Sequence, residues 1–170
     1  MALQTIKKFG NPVLREKAQP VESVNGGIIR TLHDMQETMH KNSGIGLAGN
    51  QVGVLFRLIT LTNPDTEEDL ALINPEILIL DGDRELGEEG CLSTPEVFAK
   101  VDRPRKVMVK ALNLSGKEIQ MEAEGFFARI LQHEIDHLDG VLFVDRLTPS
   151  RRLLIAGKLN RIAREGDDPH

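Results

Sequence analysis

Residues 132–137 read QHEIDH, and this stretch constrains the rest of the chain. On a helix, the i and i+4 spacing puts His133 and His137 one turn apart on the same face, where both imidazoles can bind one metal ion. Glu134 follows the first histidine, so its carboxylate can hold a water molecule at the metal and take a proton from it. The stretch therefore predicts a helix that carries a hydrolytic metal site.

The residues around this stretch support the helix. Apolar side chains recur at helical spacing, namely at Phe127, Leu131, Ile135 and Leu138. Gly140 is suited to end the helix. A neighbouring face places Phe126 and Ile130 beside the two histidines, as the wall of a substrate pocket would. The alternative is an exposed amphipathic helix whose histidines bind nothing.

A catalytic metal site with two histidines lacks one protein ligand, since such sites usually have three and keep one position for water. The chain has a single cysteine, Cys91, within the sequence EGCLS at residues 89–93. Cys91 is therefore the candidate third ligand. One thiolate and two imidazoles suit Fe²⁺, Zn²⁺, Co²⁺ or Ni²⁺, and the ligand type does not select among them.

Two other functions compete with this interpretation. A zinc peptidase with the same H-E-x-x-H pattern would use a histidine or carboxylate downstream as its third ligand, whereas Cys91 lies upstream. A non-enzymatic module with a structural metal site would have no use for Glu134, because a closed site holds no water to activate.

Length and composition limit the class of protein. The 170 residues predict one domain over residues 1–170. A lone cysteine cannot form an internal disulfide and suits a reducing cytoplasm. No apolar run approaches the roughly 18 residues that span a bilayer, so we expect no membrane partner. The net charge of −5 and the absence of Trp and Tyr argue against general nucleic-acid binding and specific DNA binding.

The order of the elements predicts an α+β fold. Strand-like segments cluster in the middle of the chain, at residues 55–61, 70–73, 77–80, 106–112 and 117–123. Residues 81–87 are expected to form a loop or hairpin. Because helices flank these strands instead of alternating with them, we expect a mixed or antiparallel sheet packed around the metal-binding helix.

Residues 146–164 carry six basic side chains and no acidic one. Apolar residues are predicted on one face of a helix there, namely Leu154, Ile155, Leu159 and Ile162. One interpretation is a terminal helix packed by its apolar face. The other is a helix that docks on an anionic surface, such as RNA.

Residues 44–51 read GIGLAGNQ. Glycines let a peptide substrate approach the backbone closely, and the amide of Gln51 could donate to a developing oxyanion. A tight helix-to-strand connection is the alternative. A dinucleotide-binding loop is disfavoured, because the segment follows a helix and not a strand.

Taken in order, residues 44–51, 89–93 and 132–137 resemble the three signature motifs of peptide deformylases. Residues 9–15 and 138–140 also fit, so the resemblance covers most of the chain. One departure is Gly49, where the family usually has a second alanine.

The resemblance implies hydrolysis of the formyl group from the N-terminal formyl-methionine of nascent polypeptides, with release of formate. Cys91, His133 and His137 would be the metal ligands, and Fe²⁺ would be the native ion. Glu134 would move the proton. Gln51 and the backbone N–H of Leu92 would stabilise the oxyanion.

The resemblance also implies an extended peptide beside Gly44, Gly46 and Gly90. Ile45, Phe126 and Ile130 are candidates for the methionine pocket, with the stem of Arg129 covering it; the alternative for each is ordinary core packing. Glu89 is predicted to steady the cysteine loop with Arg103 as its counter-charge, or else to be solvated. Independently of the resemblance, the basic residues of the 146–164 segment suggest the hypothesis that this helix docks on the ribosome.

Overall fold

The computed structural model describes residues 2–168. In this part of the chain the α-helices and strands are α1 Gly26–Lys41, β1 Gly46–Ala48, β2 Leu58–Thr62, β3 Asp69–Cys91, β4 Thr94–Leu112, β5 Glu118–Glu124, α2 Phe126–Leu138 and α3 Pro149–Glu165. Short 3-10 helices cover Pro12–Arg15, Gly49–Val52 and Phe143–Arg146. None of the helices within residues 2–168 combines the length and apolar character needed to cross a membrane.

The five strands form one antiparallel sheet in the order β1-β2-β3-β4-β5, so the α+β expectation is confirmed. Of the two alternatives for residues 81–87, a loop or a hairpin, the loop is wrong, because these residues belong to β3 and form one arm of a hairpin with β4. The pairing shifts register between residues 81 and 84, and such bulges interrupt the regular alternation that marks a strand in sequence.

Three apolar clusters bury the inner surfaces of these elements. The cluster between the sheet and α2 includes Ile59, Val109 and Leu131. A second joins α3 to β4, and a third joins α1 to β1 and β2. The sheet thereby packs against α2 and also against α1 and α3.

Helix α2 is buried along nearly its whole length, from Phe127 to Leu138. It begins after Gly125, whose φ of 64° is a left-handed conformation that favours glycine. A helix buried on all faces needs partners for its polar side chains. The charged and polar side chains of α2 therefore meet other polar groups inside the protein, and these groups form the candidate site.

Helix α3 is capped by the Thr148 side chain, which accepts a hydrogen bond from the backbone N–H of Arg151 at 3.3 Å. Ile155, Leu159 and Ile162 are buried against β4 as predicted. The placement of Leu154 on the apolar face is wrong, since 83% of its surface is exposed. In a helix, adjacent residues lie about 100° apart, so Leu154 points away from the face that holds Ile155.

Candidate active site

The three predicted ligands come together beneath the end of β3. The ligand atoms of Cys91, His133 and His137 all lie within 4.8 Å of one another. The Cys91 Sγ is 3.4 Å from His137 Nε2. Both histidines are buried and Cys91 is half-buried, so the group is open on the sulfur side. The donor set, one thiolate and two imidazoles, fits a transition-metal ion.

His133 is oriented by Glu89, whose Oε1 lies 2.9 Å from Nδ1. A carboxylate accepts, so Nδ1–H is the donor and Nε2 is left for a metal ion. Burial alone would lower the pKa of His133, but the neighbouring Glu134, Cys91 and Glu89 raise it well above its usual value. The carboxylate behind the ring thus fixes which nitrogen faces the site.

His137 has the opposite electrostatic setting. Burial, together with the charge of His133, lowers its pKa well below the usual value. The imidazole is therefore neutral near pH 7, which is the form that binds metal ions. Its Nδ1 is buried without a hydrogen-bond partner in the described structure.

Glu134 faces the same site from α2. Burial raises the pKa of its carboxyl group to about 7. Its Oε2 is 3.9 Å from His133 Nε2, and its Oε1 is buried with no hydrogen-bond partner among residues 2–168. The close packing of Gly46 against this carboxylate leaves no room for a Cβ there. A carboxyl group with a pKa near neutrality and a free oxygen is suited to accept and return a proton.

Gln51 approaches the site from the short 3-10 helix after β1. Its Nε2 donates to Ser93 Oγ at 3.1 Å and to Cys91 Sγ at 3.3 Å. Its Oε1 accepts from the backbone N–H of Ala48 at 3.0 Å, which settles the orientation of the amide. The donor end therefore points towards the predicted metal ligands, as an oxyanion donor should.

Gly49, the departure noted in the sequence, starts this 3-10 helix. A Cβ at Gly49 would lie 2.5 Å from the carbonyl oxygen of Val54 and 2.9 Å from that of Phe56. An alanine would require the backbone at residues 54–56 to shift. In this chain, Gly49 therefore lets that backbone pack against the segment that holds Gln51.

A buried ion cluster supports His133 from behind. Arg103 binds both oxygens of Glu89, with Nε–Oε2 at 2.6 Å and Nη2–Oε1 at 2.9 Å, which confirms the predicted ion pair. Arg129 adds a third contact at 2.8 Å. Burial would raise the pKa of Glu89, but hydrogen bonds from His133 and Arg103 outweigh it and hold the pKa at about 2. Glu89 is therefore ionised.

The cluster continues towards the C-terminal region. Arg103 Nη1 donates to Asp136 Oδ2 at 2.9 Å. Arg146, just before α3, binds the two oxygens of Asp136 at 2.6 and 2.8 Å. Ion pairs thereby connect the base of α3 with the carboxylate that orients a metal ligand.

A cleft of about 580 Å³ opens onto the predicted ligands. Of the predicted site residues, the cleft is lined by Gly44, Ile45, Gly46, Gly90, Cys91, Leu92, His133 and Glu134. Phe126, Arg129 and Ile130 are not among its lining residues: Phe126 is 53% exposed and Ile130 is buried. The guanidinium of Arg129 is bound by Glu89 and by the carbonyl oxygens of Glu85, Gly87 and Val101. The part of these three residues in substrate binding stays a prediction.

Several residues of the site are absent from the sequence predictions. Ser93 anchors the Gln51 amide, Asp136 belongs to the ion cluster, and Phe98 lines the cleft; Arg129 was predicted at the methionine pocket, and its place in the ion cluster was not. Asp136 had a signal: it is an acidic residue inside the metal-binding motif, on a helix predicted to be buried. The others depend on tertiary contacts that no local pattern reveals.

Comparison with known proteins gives consistent results. Residues 3–153 match the family model described as polypeptide deformylase. A peptide deformylase of Thermotoga sp. (strain RQ2) is 45% identical over 159 residues, covering 94% of this chain and 96% of that protein. One of Caldanaerobacter subterraneus subsp. tengcongensis is 52% identical over 148 residues, covering 86% and 91%. The crystal structure of peptide deformylase from Thermus thermophilus superposes with a TM-score of 0.89 at 38% identity, covering 96% of this chain and 99% of that one.

Proposed function

Since this chain belongs to the polypeptide deformylase family, and is an enzyme that removes the formyl group from N-terminal formyl-methionine, we propose that the reaction takes place at the Cys91–His133–His137 group. The observation that carries this proposal is the meeting of three metal-binding atoms with the buried, unpaired carboxylate oxygen of Glu134. Nascent polypeptides are the substrates.

We propose that the three residues hold one divalent metal ion, with Fe²⁺ as the native ion. Such an ion would lower the pKa of a water molecule towards roughly 7 and supply hydroxide at neutral pH. Zn²⁺, Ni²⁺ and Co²⁺ suit the same ligands. Metal analysis of protein purified without oxygen tests the choice: about one iron per chain is expected, with activity that decays in air as the iron and the Cys91 thiolate oxidise. Equal air stability of the iron and zinc forms would contradict it.

Glu134 takes a proton from the attacking water and delivers it to the leaving amine. Its pKa near 7 lets it do both at neutral pH. Oε2 lies on the side of His133 Nε2 at 3.9 Å, and Oε1 has no hydrogen-bond partner among residues 2–168, so no competing donor occupies the carboxylate. Gly46 keeps the carboxylate close to the cleft wall, so the transfer takes place beside the substrate backbone.

Gln51 and the backbone N–H of Leu92 stabilise the negative charge that forms on the formyl oxygen. Ala48 and Ser93 fix the Gln51 amide, and its second N–H, which faces Cys91 Sγ at 3.3 Å, is the donor for the oxyanion. A donor that is already oriented needs no reorganisation when charge develops, and this is why such donors are effective.

The peptide part of the substrate lies extended along Gly44, Gly46 and Gly90, which line the cleft. The methionine side chain points towards the apolar side of α2, with Ile45, Phe126 and Ile130 as its contacts and the stem of Arg129 nearby. Such a pocket would favour methionine by burial of its apolar surface.

Formate release from formyl-Met peptides tests the chemistry. The Glu134→Gln variant should keep its metal and lose turnover, because only the proton carrier is removed. The Cys91→Ala variant should lose the metal, measured by elemental analysis. Cleavage of internal peptide bonds without formate would favour the peptidase alternative, and a bound metal ion without any hydrolysis would favour the structural module.

We further propose that the enzyme works in the cytoplasm and docks on the ribosome through α3. The helix exposes Lys158, Arg161 and Arg164, and such cations contact the phosphates of an anionic partner. The double variant Arg161→Glu/Arg164→Glu should lower ribosome co-sedimentation and leave hydrolysis of short formyl-peptides unchanged. The matched control is Arg84→Glu/Arg105→Glu, on β3 and β4. Unchanged sedimentation of the α3 variant would rule out docking by this helix.

A further inference from the structure

Phe98 is an exposed aromatic residue on the wall of the catalytic cleft. The residue is 59% exposed, yet it lines the same cleft as Cys91 and Glu134. Single exposed apolar side chains are common and carry little information. Phe98 is informative because it lies next to Gly90, the residue that precedes the predicted metal ligand Cys91.

The ring lies directly on the backbone of Gly90. Phe98 and Gly90 are partners in the β3–β4 ladder. A Cβ at Gly90 would lie 2.5 Å from Phe98 Cε1 and 2.6 Å from Cδ1. Any other residue at position 90 would therefore displace the ring. Because Gly90 has no side chain, the Phe98 ring packs against the Gly90 backbone, and the substrate is proposed to lie along this backbone.

The pleat decides which substrate residue meets this ring. Side chains of neighbouring strand residues point to opposite faces. Glu89 points inward to His133, whereas Gly90 and Phe98 belong to the outer face. An extended peptide beside Gly90 alternates in the same way. If its methionine side chain points inward towards α2, the next side chain points outward, to the face that carries Phe98.

From this geometry we infer that Phe98 is a specificity-determining residue that contacts the side chain of the second substrate residue. The inference rests on the proposed function, because it needs an extended formyl-Met peptide beside Gly90. Apolar second residues gain a contact with the ring, whereas glycine gains none. The ring acts on binding of the peptide and takes no part in proton transfer.

Three substrates test the inference: formyl-Met-Leu-Ser, formyl-Met-Gly-Ser and formyl-methionine amide, which lacks a second residue. The Phe98→Ala variant should lower kcat/KM for the leucine peptide roughly three- to tenfold, the size expected for a partial apolar contact. The other two substrates should change by less than about twofold. The Phe98→Leu variant should fall between Phe98→Ala and the wild type.

The matched control is Phe56→Ala, since Phe56 is 46% exposed and lines a separate cavity with residues 19–28. It should leave all three rates unchanged. An unaltered ratio of the leucine to the glycine peptide in Phe98→Ala would overturn the inference. So would an equal fall for all three substrates, which would mean that the ring only supports the Gly90 strand. If the wild type releases no formate from any substrate, the proposed function itself fails.

Discussion

Glu89 and Glu134 lie on two sides of the same histidine, and the protein treats them in opposite ways. Glu89, behind His133, binds two arginines and the imidazole, and its pKa is about 2. Glu134, in front, is equally buried, has one oxygen without a partner, and has a pKa of about 7. Burial opposes ionisation in both cases, so the hydrogen-bond partners decide the outcome.

The two glutamates have different roles: Glu89 supports a predicted metal ligand, and Glu134 takes part in the reaction. On the supporting side every charge is paired, which fixes the position of the metal ligand and keeps Glu89 ionised. On the reactive side the unpaired oxygen of Glu134 is a cost to folding that leaves the carboxylate free to exchange a proton. Variants on the supporting side should therefore change stability, and variants on the reactive side should change turnover.

The largest effect is expected from Glu89→Ala. This variant leaves Arg103 and Arg129 buried without their shared counter-charge, so the free energy of unfolding should fall by about 3–5 kcal/mol. Chemical denaturation of the metal-free protein measures it. The control is Asp102→Ala, which removes the exposed Arg84–Asp102 pair and should cost less than about 1 kcal/mol. If Glu89→Ala and Asp102→Ala lowered the free energy of unfolding equally, the buried ion cluster would stabilise the fold no more than an exposed ion pair does.

Gln51→Ala tests the reactive side. Removing one oxyanion donor should lower kcat by about 10²–10³, measured by formate release. Ser93→Ala is the comparison, because it removes the partner of the Gln51 amide and keeps the amide itself; its effect should be about tenfold or less. A larger loss in Ser93→Ala than in Gln51→Ala would show that the serine, and not the amide, acts on the oxyanion.

The pH dependence of stability should differ between the two glutamates. In the metal-free protein the folded pKa of Glu134 is about 7, above its ordinary value of 4.5. Between these values this carboxyl group holds more proton in the folded state, so its own contribution to stability should be lost as the pH rises from 4.5 through 7, by on the order of 3 kcal/mol. The lowered pKa of His137 acts in the opposite direction, so the contribution is measured as the difference between the wild type and Glu134→Gln. Glu134→Gln should remove this contribution. The pKa of Glu89 is about 2, so its contribution should be lost only as the pH falls from 4.5 towards 2.

Gly46→Ala should damage turnover with little loss of secondary structure. The new Cβ would push the Glu134 carboxylate away, and a displacement of about 1 Å can cost roughly 10² in rate. Gly157 of α3 has open space at its Cβ position, so Gly157→Ala should keep full activity and stabilise the helix by about 0.5–1 kcal/mol. Full activity in Gly46→Ala would show that Glu134 has room to move.

The reactive side was more predictable from sequence than the supporting side. The H-E-x-x-H spacing places two imidazoles and a carboxylate by helix geometry alone, and the single cysteine left one choice for the third ligand. The contacts of Arg129 with Glu89, and of Arg146 with Asp136, join separate elements. The sequence predicted Arg103 as the counter-charge of Glu89, but these further ion pairs depend on how β4 and α2 pack. The sequence also left a loop and a hairpin open at residues 81–87, since the bulges there break the alternation that marks a strand.

The smallest effect is expected where the supporting cluster reaches solvent. Arg146 pairs with Asp136, but 46% of its side chain is exposed, so solvent weakens the pair and Arg146→Ala should cost about 1 kcal/mol of unfolding free energy. Asp136 keeps Arg103 as a partner in this variant, and therefore the metal site should stay intact. Arg161, for which residues 2–168 provide no ion pair, is the control, and its alanine variant should stay within about 0.5 kcal/mol. If Arg146→Ala costs nearly as much as Glu89→Ala, the supporting ion cluster includes the base of α3. A displacement of this helix would then change the position of His133 through the ion pairs.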